Sequence, residues 1–314
     1  MRIGRAAGIT DTGRRRLRNE DAFVCEPPLF AVADGMGGAR AGEIAARLAA
    51  AALEEEASRV HGAEGIAELI REANRRVWEH ALGDPATAGM GTTATAALVD
   101  ADAGTVAVGH VGDSRGYLLR DGALAQLTTD HSLVAELVES GVLTPEEAER
   151  HPQRSAITRA LGTEPTVDVD AFTVEARPGD LFLLCSDGLS TMVADEEIAA
   201  VIAESAGDPV RATEALVAAA NARGGQDNVT VVLFELLEGE PPDAKATTGE
   251  DDAEASAPAD ERESAGAGPA PQESDPAGHL SRHGAGPGGR AAALLLIAAV
   301  LVAAVLVLYW GIAR

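Results

Sequence analysis

Five short polar turns in this chain carry acidic residues, and four of the five also hold glycine. They are Arg16-Leu17-Arg18-Asn19-Glu20-Asp21, Asp34-Gly35-Met36-Gly37-Gly38, Gly112-Asp113-Ser114-Arg115, Ser186-Asp187-Gly188 and Gly225-Gln226-Asp227-Asn228. Several follow apolar, β-prone runs, as 29–33 precedes Asp34 and 181–185 precedes Asp187. A carboxylate at a strand end, beside small residues, can face a hydrated cation without obstruction. Such turns, repeated along one chain, predict a single hard-metal site assembled from across the fold. The chemistry that follows is metal-assisted hydrolysis, with a phosphoester as the expected substrate.

The pattern around these turns is mixed. Strand-like runs cover 29–33, 92–99, 105–111, 116–119, 167–174, 181–185 and 229–233, with helical stretches at 41–58, 64–82, 132–139, 195–204 and 209–223. Thr144-Pro145-Glu146-Glu147 opens a further short helix, with Thr144 as cap and proline in the first turn. Residues 92–127 read as three successive strands joined by short turns, an antiparallel meander with helices packed outside it: an α+β layered fold.

Composition divides the chain in three. Residues 1–238 read as a globular catalytic domain. Residues 239–289 carry eleven acidic residues against three basic ones and almost no large aliphatics, the composition of a disordered acidic Ala/Gly/Pro linker. Residues 291–310 contain no charge and are long enough to span a bilayer as a helix, with Arg290 and Arg314 bracketing them. Residues 290–314 are therefore expected to be a C-terminal transmembrane anchor. No secretory signal precedes the domain, which places it on the cytoplasmic face of the cell membrane in a single-pass arrangement. The net charge of −25 disfavours nucleic acid as a partner. Cys25 and Cys185 sit beside apolar runs and suit buried free thiols in a reducing compartment.

Oxygen-only ligands select Mg²⁺ or Mn²⁺. Two such ions sharing a water could aim it at phosphorus. Asp34 is the expected bridge, since Gly35 beside it frees a backbone carbonyl to reach metal. Asp187 and Asp227 complete the shell of the first ion, and Glu20 and Asp21 hold waters on the second. Arg16, one of four clustered arginines with Arg14, Arg15 and Arg18, is placed to grip phosphate oxygens.

Together these segments resemble the metal-dependent Ser/Thr protein phosphatases (the PPM family, protein phosphatase 2C type), most closely the bacterial members. The resemblance runs from about Gly4 to Leu236. It rests on Arg-x-Asn-Glu-Asp at 16–21 with Leu17 inserted, on 32–38, Met90-Gly91-Thr92-Thr93 and His110-Val111-Gly112-Asp113-Ser114-Arg115, and on Thr129-Asp130-His131-Ser132, 157–162, 184–189 and 225–230. It implies an antiparallel β-sandwich with helices on both outer faces and a binuclear Mn²⁺/Mg²⁺ centre at one end. It matches Asp34 to the bridging ligand, Gly35 to the carbonyl ligand, Asp187 and Asp227 to the first ion, Asp21 to the second and Arg16 to the phosphate. Asp113, with Asp187, matches the holder of a labile third ion, and 131–166 matches a flap beside the site. The implied activity is hydrolysis of phosphoserine and phosphothreonine in proteins, with membrane Ser/Thr kinases as the enzymes opposed. One departure stands out: the resemblance leads one to expect His just after the Asp-Gly-x-Gly-Gly turn, where this chain has Ala39, and if such a His protonates the leaving oxygen this chain lacks a general acid worth roughly 10²–10⁴-fold. His110 and His131 are replacements by residue type only. The alternatives are a phosphoprotein-binding domain without catalysis and a two-metal hydrolase of nucleotides or small phosphoesters.

Overall fold

The computed structural model describes residues 1–37 and 41–239. Its strands are β1 (Arg2–Asp11), β2 (Asp21–Glu26), β3 (Leu29–Met36), β4 (Gly91–Thr92), β5 (Ala94–Asp100), β6 (Thr105–Val111), β7 (Arg115–Arg120), β8 (Ala123–Gln126), β9 (Asp170–Glu175), β10 (Leu181–Cys185) and β11 (Val229–Leu237). The helices are α1 (Ala41–Glu56), α2 (Gly62–Gly83), α3 (Leu133–Glu139), α4 (Pro145–Glu149), α5 (Asp187–Ser190), α6 (Asp195–Glu204) and α7 (Pro209–Ala222). One sheet runs β1-β11-β10-β7-β8 and the other β2-β3-β5-β6-β9, with β4 paired to β3. Every pairing is antiparallel.

Strand β3 shows why the two sheets stack. Phe30 and Val32 point between the sheets, where they meet Phe182, Leu184, Val232 and Phe234, whereas Leu29, Ala31 and Ala33 point outward under α1 and α2. A strand buried on both faces reads as a continuous apolar run rather than an alternating one. Phe30 and Phe182 both stack on Phe234, with ring centroids 3.9 and 5.2 Å apart. On the far side, α5, α6 and α7 cover the outer face of the other sheet through Leu189, Ile198, Ile202 and Leu216. The expected sandwich with helices on both outer faces is what forms.

Three local readings change. Strands β1, β2 and β8 carry no strong sequence pattern, and each lies at a sheet edge beside one strand partner. Strand β1 is fixed by its ladder to the buried β11, from Thr10↔Thr230 to Arg2↔Leu237, more than by its own side chains. The run 92–127 is not one meander: β5 and β6 pair in one sheet, and β7 and β8 in the other. Gly112-Asp113-Ser114 is therefore a crossover between sheets, held by Ser114 Oγ to Thr93 Oγ1 (2.7 Å) and by Thr95 Oγ1 donating to the Ser114 carbonyl (2.9 Å). Lastly, of the predicted 167–174 strand only 170–174 pairs, as part of β9 (Asp170–Glu175), and Val167 and Val169 pack against the helix-side core instead. The Thr144 cap is as expected: its hydroxyl accepts from Glu147 N and the Glu147 carboxylate accepts from Thr144 N.

Among the described residues no helix is long and apolar enough to cross a membrane. Residues 240–314, with most of the expected linker and all of the expected anchor, lie outside the described residues, as does Ala39.

Candidate metal centre and active site

Sheet register brings the acidic turns to one end of the sandwich. Asp21 and Asp34 are directly opposed on β2 and β3, which puts two like charges side by side on one face. Cys185, at the end of β10, pairs with Val231 near the start of β11, so Asp187 and Asp227 emerge from the same edge. Arg115 pairs with that same Cys185, and the crossover holding Asp113 immediately precedes it. All five carboxylates are part-buried.

The Asp34 backbone is fully engaged. Its N–H donates to Thr93 Oγ1 (3.0 Å), and its carbonyl accepts from Thr93 N (2.9 Å) and Thr92 Oγ1 (2.9 Å). The glycines after Asp34 and Asp187 answer to packing. A Cβ on Gly35 would lie 2.2 Å from the Gly42 carbonyl oxygen and 2.4 Å from that of Glu20; one on Gly188 would lie 1.9 Å from the Asn228 carbonyl oxygen. Both Asp-Gly steps are thus places where two backbones touch, rather than turns needing left-handed torsions. Gly35→Ala is expected to destabilise the domain by about 2–3 kcal/mol, the cost of forcing atoms into a packed interior, read as a lower melting temperature. An unchanged melting temperature would mean that α1 can simply slide away.

The carboxylates shift one another. Burial pushes the Asp21 carboxyl up to about 6; hydrogen bonding to Thr230 draws it back, and the Asp187 and Asp227 charges raise it further. Burial and then Asp227 take Asp187 to about 6, with a hydrogen bond to Asp34 opposing them. Asp113 rises to about 7 through burial and then the charges of Asp187 and Asp130. Asp34 is raised well above the ordinary carboxylate range by burial and then by Asp21, Asp187, Asp113 and Asp227. Glu20 is raised by burial, with Arg16 opposing.

Among the described residues no three acidic, histidine or cysteine side chains already close into an ion-holding group. The donor set nevertheless fits a hard divalent ion. It is all oxygen and strongly anionic, and Asp21 Oδ1 is a buried atom with no hydrogen-bond partner, while Oδ2 accepts from Thr230 Oγ1 at 2.6 Å. Uncompensated carboxylates in such a place call for a cation.

Arg16 is at the site, and its Nη2 donates to Asp227 Oδ2 at 2.6 Å. The other Asp227 oxygen accepts from Asn228 N (2.8 Å). Neither histidine is free to act as an acid. The Nδ1 of buried His110 meets Thr95 Oγ1 and its Nε2 meets the Thr129 carbonyl; burial, then His131, lowers its pKa to about 4. His131 Nδ1 accepts from Gly112 N (3.0 Å) and its Nε2 faces Asp170 Oδ2 (3.2 Å). Both rings are structural. The segment 131–166 is tied at its base by the Ser132↔Ile157 and Thr92↔Leu161 bridges, and α3 buries none of its residues.

Sequence reasoning missed two asparagines. Asn228 Oδ1 accepts from Glu20 N (2.8 Å), and its Nδ2 donates to the carbonyls of Thr12 (3.0 Å) and Arg18 (2.8 Å). Asn19 Oδ1 accepts from Asp21 N (3.1 Å) and its Nδ2 donates to Thr10 Oγ1 (2.7 Å). Their signal was position: each adjoins an acidic residue inside a motif already singled out.

The family profile described as Protein phosphatase 2C matches residues 12–228. The serine/threonine phosphatase stp of Listeria monocytogenes (strain EGD-e) is 41% identical over 238 residues, 72% of this chain and 93% of that protein. The serine/threonine protein phosphatase PstP of Mycobacterium tuberculosis (strain H37Rv) is 42% identical over 264 residues, 79% of this chain and 49% of that protein. The chain thus spans about half the length of this second relative. The crystal structure of M. tuberculosis PstP/Ppp superposes with a TM-score of 0.71 at 41% identity, covering 75% of this chain and 100% of that one. The PstP catalytic domain in complex with two manganese ions gives 0.68 at 39% identity, covering 75% and 99%.

Proposed function

Because the chain belongs to the protein phosphatase 2C family, we propose that it hydrolyses phosphoserine and phosphothreonine in proteins at a binuclear Mn²⁺ or Mg²⁺ centre. The observation that carries this reading is the set of Asp21, Asp34, Asp113, Asp187 and Asp227, each part-buried at one end of the sandwich and linked by mutual charge effects. Asp34, the Gly35 carbonyl, Asp21, Asp187 and Asp227 would hold the two ions, with Glu20 beside the second and Asp113 joining Asp187 around a labile third. When bound, the ions supply Lewis-acid stabilisation of phosphoryl charge and a lowered water pKa.

The chain's own groups do the positioning. Thr230 fixes the Asp21 carboxylate, Thr92 and Thr93 fix the Asp34 peptide, and Asn228 ties Glu20 to the Asp227 turn. Arg16 is oriented by Asp227, which leaves the rest of its planar fork for phosphate oxygens. Phosphate release from a phosphothreonine peptide, titrated with Mn²⁺ and quenched with EDTA, tests the reading. Turnover that needs the metal supports it; a folded, metal-saturated protein with no turnover overturns it in favour of phosphoprotein binding alone. Arg16→Ala is expected to raise KM for the peptide by roughly 10-fold or more, the worth of a charge-assisted hydrogen bond, and to raise the Mn²⁺ requirement through Asp227. A fall in kcat alone would confine Arg16 to the transition state.

The same reading extends to place. Residues 1–238 form the catalytic domain, 239–289 the acidic linker, and 290–314 a helix that tethers the enzyme to the cytoplasmic face of the membrane, where Ser/Thr kinases meet it. What supports this is the uncharged stretch 291–310. Deleting 290–314 is expected to move the protein from the membrane pellet to the supernatant. Pelleting unchanged by the deletion would refute the anchor.

A further inference from the structure

The loop from Thr12 to Glu20 is a cationic island on a strongly acidic molecule. Arg14, Arg15, Arg16 and Arg18 are all exposed, in a protein of net charge −25. The metal centre accounts for only one of them, Arg16, through its contact with Asp227. Arg14 reaches Asp11 only at 3.7 Å. Among the described residues Arg15 and Arg18 form no ion pair, and Arg18 feels Glu20 only at a distance. Leu17 stands between Arg16 and Arg18 and is 99% exposed. A lone exposed leucine is ordinary; what sets this one apart is how the loop is held.

The backbone around the loop tip is clamped to the Asp227 turn. Asn228 Nδ2 grips the carbonyls of Thr12 and Arg18, Arg14 N donates to the Gly225 carbonyl (2.8 Å), and Gly13, at φ +79°, lies where a Cβ would meet the Asp227 carbonyl oxygen at 2.1 Å. Residues 15–17 are the part of the loop left standing clear of these ties. Arg15, Leu17 and Arg18 are thus presented beside Arg16 on a loop whose two flanks are fixed to the Asp227 turn, which limits the backbone entropy lost when a partner binds.

We propose that this loop docks the substrate chain, selecting phosphoprotein segments whose residues flanking the phosphate are Asp or Glu, with an apolar side chain against Leu17. The inference rests on the phosphatase reading above. Elsewhere the negative surface repels such segments, so the arginines steer them to the one place where the phosphate can enter. An anionic membrane is the less favoured occupant, since a broad bilayer would press against the acidic surface around the loop as well as the four arginines, whereas a single peptide segment meets the arginines within a screening length.

The test compares kcat/KM of the 314-residue chain on three phosphothreonine peptides with Glu, Gln or Lys flanks, each relative to p-nitrophenyl phosphate. The Glu-flanked peptide is expected to lead the Gln-flanked one by about 5-fold to 10-fold at low salt, the worth of two exposed ion pairs, with the lead shrinking in 0.5 M salt as screening predicts. Arg15→Gln combined with Arg18→Gln should bring the ratio to within about 2-fold, and Leu17→Ser should weaken only peptides with an apolar neighbour. Equal kcat/KM for all three peptides, or an acidic preference that survives the double variant, would overturn the proposal. So would an unchanged peptide ranking alongside loss of binding to phosphatidylserine vesicles, which would give the loop to the membrane. If even p-nitrophenyl phosphate is not turned over with Mn²⁺, the phosphatase reading fails. The docking proposal is then judged by the affinities of the same peptides in fluorescence anisotropy, where the same ranking upholds it and equal affinities overturn it.

Discussion

Asp187→Ala is expected to abolish metal-dependent phosphate release while raising the melting temperature of the metal-free protein. Loss of activity should exceed the ~10–100-fold typical of residues that merely support a metal ligand. Stability should move the other way because the wild-type carboxyl is held at about 6 by burial and by Asp227, so at pH 7.5 it is ionised in a place that disfavours charge. Each unit of pKa displacement corresponds to about 1.4 kcal/mol, so removing the group relieves a cost of about 3 kcal/mol. Alanine also relieves Asp21 and Asp34, which feel the Asp187 charge. Peptide turnover against Mn²⁺ and thermal denaturation in EDTA read the two halves. Full activity would remove Asp187 from the metal shell; a falling melting temperature would mean that its contact with Asp34 outweighs the repulsion.

The second large effect is the pH dependence of the metal-free fold. Asp21 and Asp187 titrate at about 6 and Asp113 at about 7 in the folded chain, against about 3.9 for an unfolded aspartate. Between these values the folded state binds more protons than the unfolded one, so stability falls as pH rises. The contribution is fully present below about pH 4 and is lost as pH climbs through 6 and 7. Several kcal/mol are at stake, by the same ~1.4 kcal/mol per unit. Mn²⁺ should reverse the trend, since its ligands bind it deprotonated. Glu72, held near 2 by hydrogen bonds from Arg75 and then Arg76, works oppositely, and its contribution is lost only as pH falls below the ordinary glutamate range. Melting curves in EDTA from pH 4.5 to 7.5 should slope downward, and Asp113→Asn should flatten the slope. A flat or rising curve in the unaltered chain would show that the carboxylates do not share one environment.

The edge strands show how far local pattern reaches. Strand β3 was legible because both its faces are buried, so that every residue from 29 to 33 is apolar. Strand β1 was not legible: Arg2, Gly4, Arg5 and Gly8 carry no strand signal, and the segment is extended because β11 offers it a ladder. The crossover at Gly112–Ser114 reads as a hairpin in sequence because a short glycine turn looks the same whether its flanking strands pair with each other or part into different sheets.

The sequence by itself determined which donor groups are present and the family they point to. Acidic residues in recognisable motifs, in the family order, raised the expectation of an oxygen-donor metal centre and its arginine, because donor type is a property of the side chain alone. Only the tertiary structure decided why Gly35 and Gly188 must be glycine, that Arg16 is held by Asp227, that His110 and His131 are spent on backbone and side-chain contacts, and that Asn19 and Asn228 clamp the arginine loop. Those are relations between segments as far as 216 residues apart. A carbonyl that forbids a Cβ, or a carboxylate that holds an arginine, exists only once folding has closed the distance.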